Sequence, residues 1–289
     1  MGNEIERKFY ADPSRLGKAL SASRLEQGYL PDTGATEVRL RRSETSWRLT
    51  LKAGAGAQRY EWEVPLSAGD FEALWARAAA RVIKVRQRFA WKGHTIEVDR
   101  FEGALDGLIT AEVEFSSLAE ARSFAIPRSF GPELTWDPRF KNRALAEDAE
   151  VPRNIGKGIW SYGVLPYRPS PRGLELIAIT TRRHDRWIVP KGQPEPGRSA
   201  EQVALDEARE EAGITGRITG HPLVLPYPRE TGTTNLLLFP LLVTKLADRW
   251  LESEQRERRA VPVAEAGAYG DVIRLGAQAL SEIMGTVGS

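Results

Sequence analysis

The sequence predicts an α+β chain of two domains: a strand-rich first half able to close as an eight-stranded antiparallel barrel, then an α/β second half. Three observations predict this. The chain has 289 residues, about two domains' worth. Before residue 117, run after run alternates apolar and charged side chains with period two. After residue 157, strand-like runs are interrupted by helical periodicity. The boundary falls at 147–156, EDAEVPRNIG, a polar stretch containing proline. The domains are taken as 1–150 and 155–289.

The elements follow in order. Strands are expected at 3–10, 25–31, 35–43, 46–53, 58–66, 82–90, 94–101 and 108–116. Residues 67–80 read as a helix, because Ser67 can cap it and Phe71, Leu74 and Trp75 recur at helical spacing. Residues 117–125 read as a second. In the other half, strands are expected at 158–167, 174–180, 186–190, 217–225 and 233–245, with helices at 199–212 and 271–284. The run at 252–259, ESEQRERR, reads as a solvated loop or helix face.

Composition removes several chemistries. There is no cysteine, which excludes disulfides, thiolate catalysis and Cys-ligated metals. The three histidines, His94, His184 and His221, are far apart, so a multi-histidine metal site is not expected. The 41 Lys+Arg against 39 Asp+Glu give a net charge of +2, with no global field for nucleic acid. No apolar run approaches a membrane span, and the charged start MGNEIERKFY does not read as a signal peptide. A cytoplasmic protein is expected. Carboxylates, Lys, Arg and Tyr remain for chemistry, a set suited to divalent cations and phosphate.

A strand sends alternate side chains to opposite faces. Glu4, Glu6 and Lys8 therefore oppose Ile5 and Phe9. Likewise Glu37, Arg39 and Arg41 oppose Val38 and Leu40, and Arg48 and Lys52 oppose Leu49 and Leu51. Arg59, Glu61 and Glu63 oppose Tyr60, Trp62 and Val64; Lys84 and Arg86 oppose Ile83 and Val85. Glu97 and Asp99 oppose Ile96 and Val98; Glu112 and Glu114 oppose Val113 and Phe115. For one strand, a polar face in water is the better explanation. Over seven strands, positions that are nearly all charged point to faces turned inward around a polyanion and metal ions.

These residues carry a resemblance. EIERKF, QGYL at 27–30, EVRLR at 37–41, LTLK at 49–52, RYEWE at 59–63, KVR at 84–86, EVD at 97–99, AEVEF at 111–115 and KN at 141–142 together resemble the CYTH superfamily, the triphosphate tunnel metalloenzymes. The resemblance covers about residues 1–150. It implies an eight-stranded tunnel that hydrolyses small triphosphates with magnesium or manganese. By motif it assigns Glu4, Glu6, Glu61, Glu63, Glu112 and Glu114 to the acidic, metal-associated set. It assigns Lys8, Arg39, Arg41, Lys52, Arg59, Lys84 and Arg86 to phosphate. Lys8 with Tyr29 resembles a general-base pair of the compact bacterial triphosphatases, beside the plain reading of Tyr29 as a packed aromatic.

In the second half, KGQPEPGRSAEQVALDEAREEAGI spans 191–214. Ser199 and Gln202 form a capping box, and Gly213 suits the helix end. Glu207, Glu210 and Glu211 share one helical face, where they repel without cations. The segment resembles the Nudix signature, which implies an α/β/α sandwich hydrolysing a diphosphate linked to another group. By motif, Glu207, Glu210 and Glu211 are metal ligands, with Glu210 or Glu211 nearest the activated water, and the Gly192 carbonyl is a further ligand. Lys191, with Arg168, Arg172, Arg182, Arg183 and Arg186, flanks the entry to the box and suits a highly phosphorylated substrate, beside the plain reading of these residues as surface cations. Three positions depart: Arg198 stands where Glu is usual, Asp206 where Arg is usual, and Ala208 where a bulky aliphatic is usual. The first two departures are opposite in sign, so a reversed ion pair is expected.

The function expected is a bifunctional phosphohydrolase: inorganic triphosphate to phosphate and diphosphate in the first half, and cleavage of a pyrophosphate linkage in a diphosphoinositol polyphosphate or dinucleoside polyphosphate in the second. Mg2+ or Mn2+ is the expected cofactor, the expected partners are small phosphorylated molecules, and neither nucleic acid nor membrane is expected. The alternatives are a polyphosphate or nucleotide sensor with a weakly active second half, and an enzyme processing RNA 5′-triphosphate ends. Adenylate cyclase activity is a lesser alternative.

Overall fold

A computed structural model of the protein describes residues 5–31, 36–53, 60–148, 160–229 and 232–286. The chain divides into two compact units, Met1–Ile155 and Gly156–Ser289. Most of the expected linker lies outside the described residues.

The first unit contains β1 (Ile5–Ala11), β2 (Ser21–Tyr29), β3 (Thr36–Arg42), β4 (Trp47–Ala53), β5 (Tyr60–Pro65), α1 (Ala68–Trp75), β6 (Ala80–Trp91), β7 (His94–Phe101), β8 (Ile109–Phe115), α2 (Leu118–Ser123), β9 (Phe130–Glu133) and α3 (Asn142–Glu147). The eight expected strands are β1–β8. A short ninth, β9, extends the sheet, whose order is β5-β4-β3-β2-β6-β7-β8-β1-β9. Its pairings are antiparallel. One face packs apolar side chains. Phe9, Phe89, Ile96, Val98, Val113 and Phe115 form one cluster with Ala121 and Phe124 around α2. Leu40, Phe71, Trp75 and Ala78 form another beneath α1. As expected, Ser67 caps α1, accepting a hydrogen bond from the Asp70 N–H.

The second unit contains β10 (Trp160–Ser170), β11 (Gly173–Thr180), β12 (Trp187–Ile188), β13 (Lys191–Gly192), α4 (Ala200–Ala212), β14 (Ile214–Ile218), β15 (Leu223–Arg229), β16 (Gly232–Leu246), β17 (Arg258–Pro262) and α5 (Asp271–Thr286). The spine of its mixed sheet is β12-β11-β10-β16-β14, with β10 and β16 parallel. The single strand expected at 217–225 is two, β14 and β15, parted by Thr219–Pro222. Val272, Ile273, Ala277 and Leu280 of α5 pack on Leu165, Tyr167, Leu176 and Ala178 of the sheet. α4 buries Val203, Ala204, Ala208 and Ala212. This is the α/β/α arrangement expected. Among the described residues, no helix is long and apolar enough to cross a membrane.

Candidate active sites

In an antiparallel sheet, residues directly opposite one another share a face. The register therefore decides whether the charged ladders are one surface. They are. Lys8 faces Glu112, Glu112 faces Glu97, and Glu97 faces Arg88. Arg86 faces Asp99, and Glu6 faces Glu114. Arg86 also faces Ser23 of β2, which carries Gln27 and Tyr29 on the same side, opposite Arg41 and Arg39. Arg41 faces Arg48, Arg39 faces Thr50, and Thr50 faces Glu63. The chain of pairings runs from β1 to β5 without changing face.

The surface is not a solvated one. Lys84 and Asp99 are fully buried, and Lys8 and Glu112 are nearly so. Lys84 Nζ lies 2.5 Å from Asp99 Oδ2 and 3.3 Å from Asn142 Oδ1. Arg86 forks onto Asp99 at 2.7 and 2.6 Å, reaches Glu112 Oε2 at 2.8 Å, and also binds Glu97. Lys8 Nζ meets Glu112 Oε1 at 2.9 Å and donates to the Phe140 carbonyl at 2.7 Å. Burial alone would push Glu112 up; Lys8, Lys84 and Arg86 outweigh it and hold the carboxyl well below its ordinary value. Burial pushes the Lys84 ammonium down, against the pull of Asp99. A second group joins Arg41 and Arg48 to Glu63 at 3.1 and 2.9 Å, with Thr50 Oγ1 on the same carboxylate at 3.1 Å and Arg39 on Thr50 at 3.3 Å.

Burial drives the Tyr29 phenol far above its ordinary value. Such a phenol keeps its proton, so it suits a hydrogen-bond donor better than the base of a pair. Glu4 and Arg59 lie outside the described residues. Lys52 and Glu61 face each other across β4 and β5, and their side chains lie outside the description. A cavity of about 200 Å³ is lined by Ser21, Ser23, Arg41, Ser46, Arg86 and Arg88 among others.

Sequence reasoning gave no role to Asp99, Asn142 or the Phe140 carbonyl, which hold Lys84, Arg86 and Lys8. The first two lie in the EVD and KN runs, so a signal was present. The buried Arg7–Glu133 pair, at 2.9 and 2.7 Å, joins β1 to β9. Its partners are 126 residues apart, and no local pattern announces it.

In the second unit, the capping box of Ser199 and Gln202 forms, and Gly213 ends α4 in the left-handed region at φ 62°. The Glu207 carboxylate lies against Gly192, where any Cβ would run into it. The Lys191 N–H donates to Glu211 Oε2 at 2.9 Å. The structure thus brings Lys191, Gly192, Glu207 and Glu211 together, with Glu210 exposed beside them. Burial, then Glu211 and Glu210, push Glu207 up to about 7. Burial also pushes Glu211 up. Arg198 bonds to Asp206, which Arg209 also contacts, so the two opposite departures do meet as an ion pair.

One expectation is corrected. The 252–259 run is not solvated throughout: Glu252 and Arg256 are each 8% exposed. Arg256 binds Glu211, lies 2.5 Å from Glu252, and donates to the Thr180 carbonyl at 2.9 Å. The run looked solvated because its charges are dense, and Glu254, Glu257 and Arg259 are indeed exposed; Glu252 and Arg256 are instead paired with each other, and Arg256 with Glu211 of α4.

Comparison with known proteins follows this division. The family model of the CYTH domain matches residues 2–124, and that of the NUDIX domain matches 161–279. An inorganic triphosphatase of Nitrosomonas europaea is 41% identical over 147 residues, covering 50% of this chain and 96% of that protein. The chain joins a CYTH domain to a Nudix domain. The Nudix unit is 36% identical over 110 residues to the chloroplastic Nudix hydrolase 21 of Arabidopsis thaliana, covering 36% of this chain and 56% of that protein. It is 34% identical over 85 residues to diphosphoinositol polyphosphate phosphohydrolase 3-alpha of Mus musculus, covering 29% of this chain and 51% of that protein. The chain therefore spans about half the length of these Nudix relatives.

Both families are metal-dependent hydrolases. The donors fit a hard divalent cation, which takes oxygen ligands: in the Nudix unit, burial and then the neighbouring Glu211 and Glu210 push Glu207 up, a cost that a bound cation would offset. In the CYTH unit, Glu6 stands directly opposite Glu114, and Glu97 opposite Glu112, which sets carboxylate oxygens side by side as a hard divalent cation takes them. Among the described residues, no three acidic or histidine side chains are gathered closely enough to hold one ion.

Proposed function

We propose that the chain is a metal-dependent phosphohydrolase with two sites. The CYTH unit cleaves inorganic triphosphate to phosphate and diphosphate. The Nudix unit cleaves a pyrophosphate linkage in a polyphosphorylated organic molecule of the diphosphoinositol polyphosphate or dinucleoside polyphosphate type. The observation that carries the first reading is the single polar face running from β1 to β5, which carries charge on every strand but β2, with both signs represented across it, and is buried, or nearly so, at Lys8, Lys84, Asp99 and Glu112.

In the CYTH unit, Lys8, Lys84 and Arg86, with Arg39 and Arg41, take phosphate oxygens; Lys52 and Arg59 join them by motif. The Arg fork offers two parallel donors to each phosphate. Glu6, Glu63, Glu112 and Glu114, with Glu4 and Glu61 by motif, hold the metal, which supplies charge neutralisation to the phosphates. Lys8 stands where a proton can be managed, with Tyr29 donating to an oxygen. The Arg- and Ser-lined cavity supports inorganic triphosphate, since among the described residues no aromatic ring lines it to stack a base. In the Nudix unit, Glu207, Glu210 and Glu211 with the Gly192 carbonyl hold the metal, Glu210 or Glu211 orients the water, and Lys191 binds phosphate. We place the protein in the cytoplasm, with Mg2+ or Mn2+ and without nucleic acid.

The test is phosphate release from inorganic triphosphate, dinucleoside polyphosphates, ADP-ribose, nucleoside triphosphates and inositol pyrophosphates, with Mg2+ or with EDTA. Turnover that Lys8→Ala removes for triphosphate alone, and Glu207→Gln for the organic substrate alone, supports both assignments. Binding without release in Mg2+ contradicts them.

A further inference from the structure

The last turn of a helix leaves its carbonyls without partners inside the helix. For α4, these groups are met by one segment, residues 247–258. Glu252 N–H donates to the Glu210 carbonyl at 3.1 Å and Trp250 Nε1 to the Glu211 carbonyl at 2.9 Å. Arg258 donates to the Ala212 carbonyl at 2.7 Å, and Ala247 N–H to the Gly213 carbonyl at 2.9 Å. The same segment sends Arg256 into the glutamate cluster. Its guanidinium is engaged on three sides: by Glu211 Oε1, by Glu252 and by the Thr180 carbonyl. Arg182 holds the other side of Glu252.

The result for Glu211 is specific. One oxygen is fixed by the Lys191 amide and the other by Arg256. Its carboxylate plane is therefore set, and its remaining lone pairs have fixed directions. Glu207 and Glu210 have no such two-point hold among the described contacts.

We propose that Arg256 is a positioning residue of the Nudix site: by holding Glu211 against the Lys191 amide, it sets the oxygens that the glutamate face offers to a divalent cation. This rests on the metal-dependent reading of that site. A mere counter-charge makes the opposite prediction. Taking a cation out of a cluster of acids should strengthen its pull on a divalent ion. Losing an orienting partner should weaken binding, about 10- to 100-fold for groups that orient metal-ligating side chains. Lysine separates the two further. It keeps the charge and loses the planar fork that reaches three acceptors at once.

The experiment is Mn2+ titration of the full chain followed by the EPR signal of the free ion, at pH 8, where Glu207 is largely ionised. Glu207→Gln defines the share of bound Mn2+ that belongs to the Nudix site. Arg256→Met should weaken that share about 10- to 100-fold, and Arg256→Lys about tenfold, with triphosphatase turnover unchanged in both. Circular dichroism checks folding; if Arg256→Met does not fold, Arg256→Lys decides. Wild-type affinity in Arg256→Lys, or tighter binding in Arg256→Met, overturns the proposal. If Glu207→Gln leaves Mn2+ binding untouched, the reading of the site itself fails instead.

Discussion

The two units collect acidic side chains in opposite ways. In the CYTH unit, the antiparallel register sets acids against bases: Lys8 beside Glu112, Arg86 beside Asp99, Arg88 beside Glu97. These acids already meet bases within the protein, although Glu6 also faces Glu114 and Glu112 faces Glu97, and Glu112 is held well below its ordinary value. In the Nudix unit, helical spacing sets Glu207, Glu210 and Glu211 side by side, and Glu207 is pushed up to about 7. A sheet with period two lets opposite charges alternate across strands, whereas a helix turn stacks like charges. The first surface is ready for an anion with a cation; in the second, Arg256 and the Lys191 amide hold Glu211 while Glu207 stays raised.

The largest expected effect breaks the prepaired surface at its buried β1–β8 pair. Lys8→Ala leaves Glu112 with Arg86 but without the cation on its other oxygen, and removes a proposed phosphate ligand. Triphosphatase kcat/KM should fall by about 10³-fold or more, with organic pyrophosphatase turnover intact; unchanged triphosphatase kinetics would reject the tunnel assignment. Glu207→Gln should do the reverse, lowering Nudix turnover by about 10²–10³-fold and sparing triphosphate hydrolysis.

A stability measurement sharpens the contrast. Lys84→Met strands the fully buried Asp99 with Arg86 alone, and should cost the CYTH unit about 3 kcal/mol in denaturant unfolding. Arg86 absorbing the whole loss would show that the Lys84 pair carries no stability.

The pH dependence has opposite signs in the two units. Glu112 is lowered on folding, so its contribution is present above its unfolded value of 4.5 and is lost as pH falls through its folded value. Glu207 is raised, so its contribution is complete below 4.5 and is lost as pH rises through about 7. Without metal, melting of the Nudix unit should therefore drop by a few degrees from pH 5 to 8; Mg2+ or Glu207→Gln should flatten that drop. A rise with pH would contradict the crowding. The smallest effect concerns Arg198 and Asp206, both partly exposed, whose double-mutant cycle should give a coupling of about 0.5–1 kcal/mol. A coupling of zero would remove the reversed pair from the structure's energetics.

Much of the fold was legible because apolar and charged residue types alternate with period two along most of β1–β8 and α4 keeps a helical period, even though burial itself does not alternate in β1, where Arg7 to Tyr10 are all buried. The ladders were legible for the same reason: each charged face alternates with an apolar one. What the sequence concealed was pairing at a distance. Nothing local joins Arg7 to Glu133 or Arg256 to Glu211, and the density of charge in ESEQRERR reads as solvation until α4 is seen beneath it. The short β9 escaped because four residues carry too little periodicity. Likewise, Asp99 and Asn142 were visible as motif letters, but only the packing of β7 and α3 against β6 shows that they hold Lys84.

The most direct test is a crystal structure of the protein with tripolyphosphate and Mg2+. It should show the phosphate chain lying on the β1–β5 face, with its oxygens on Lys8, Lys84 and Arg86 and the metal between it and the glutamates. Tripolyphosphate bound elsewhere, with Lys8–Glu112 and Arg86–Asp99 still closed on each other, would contradict the account.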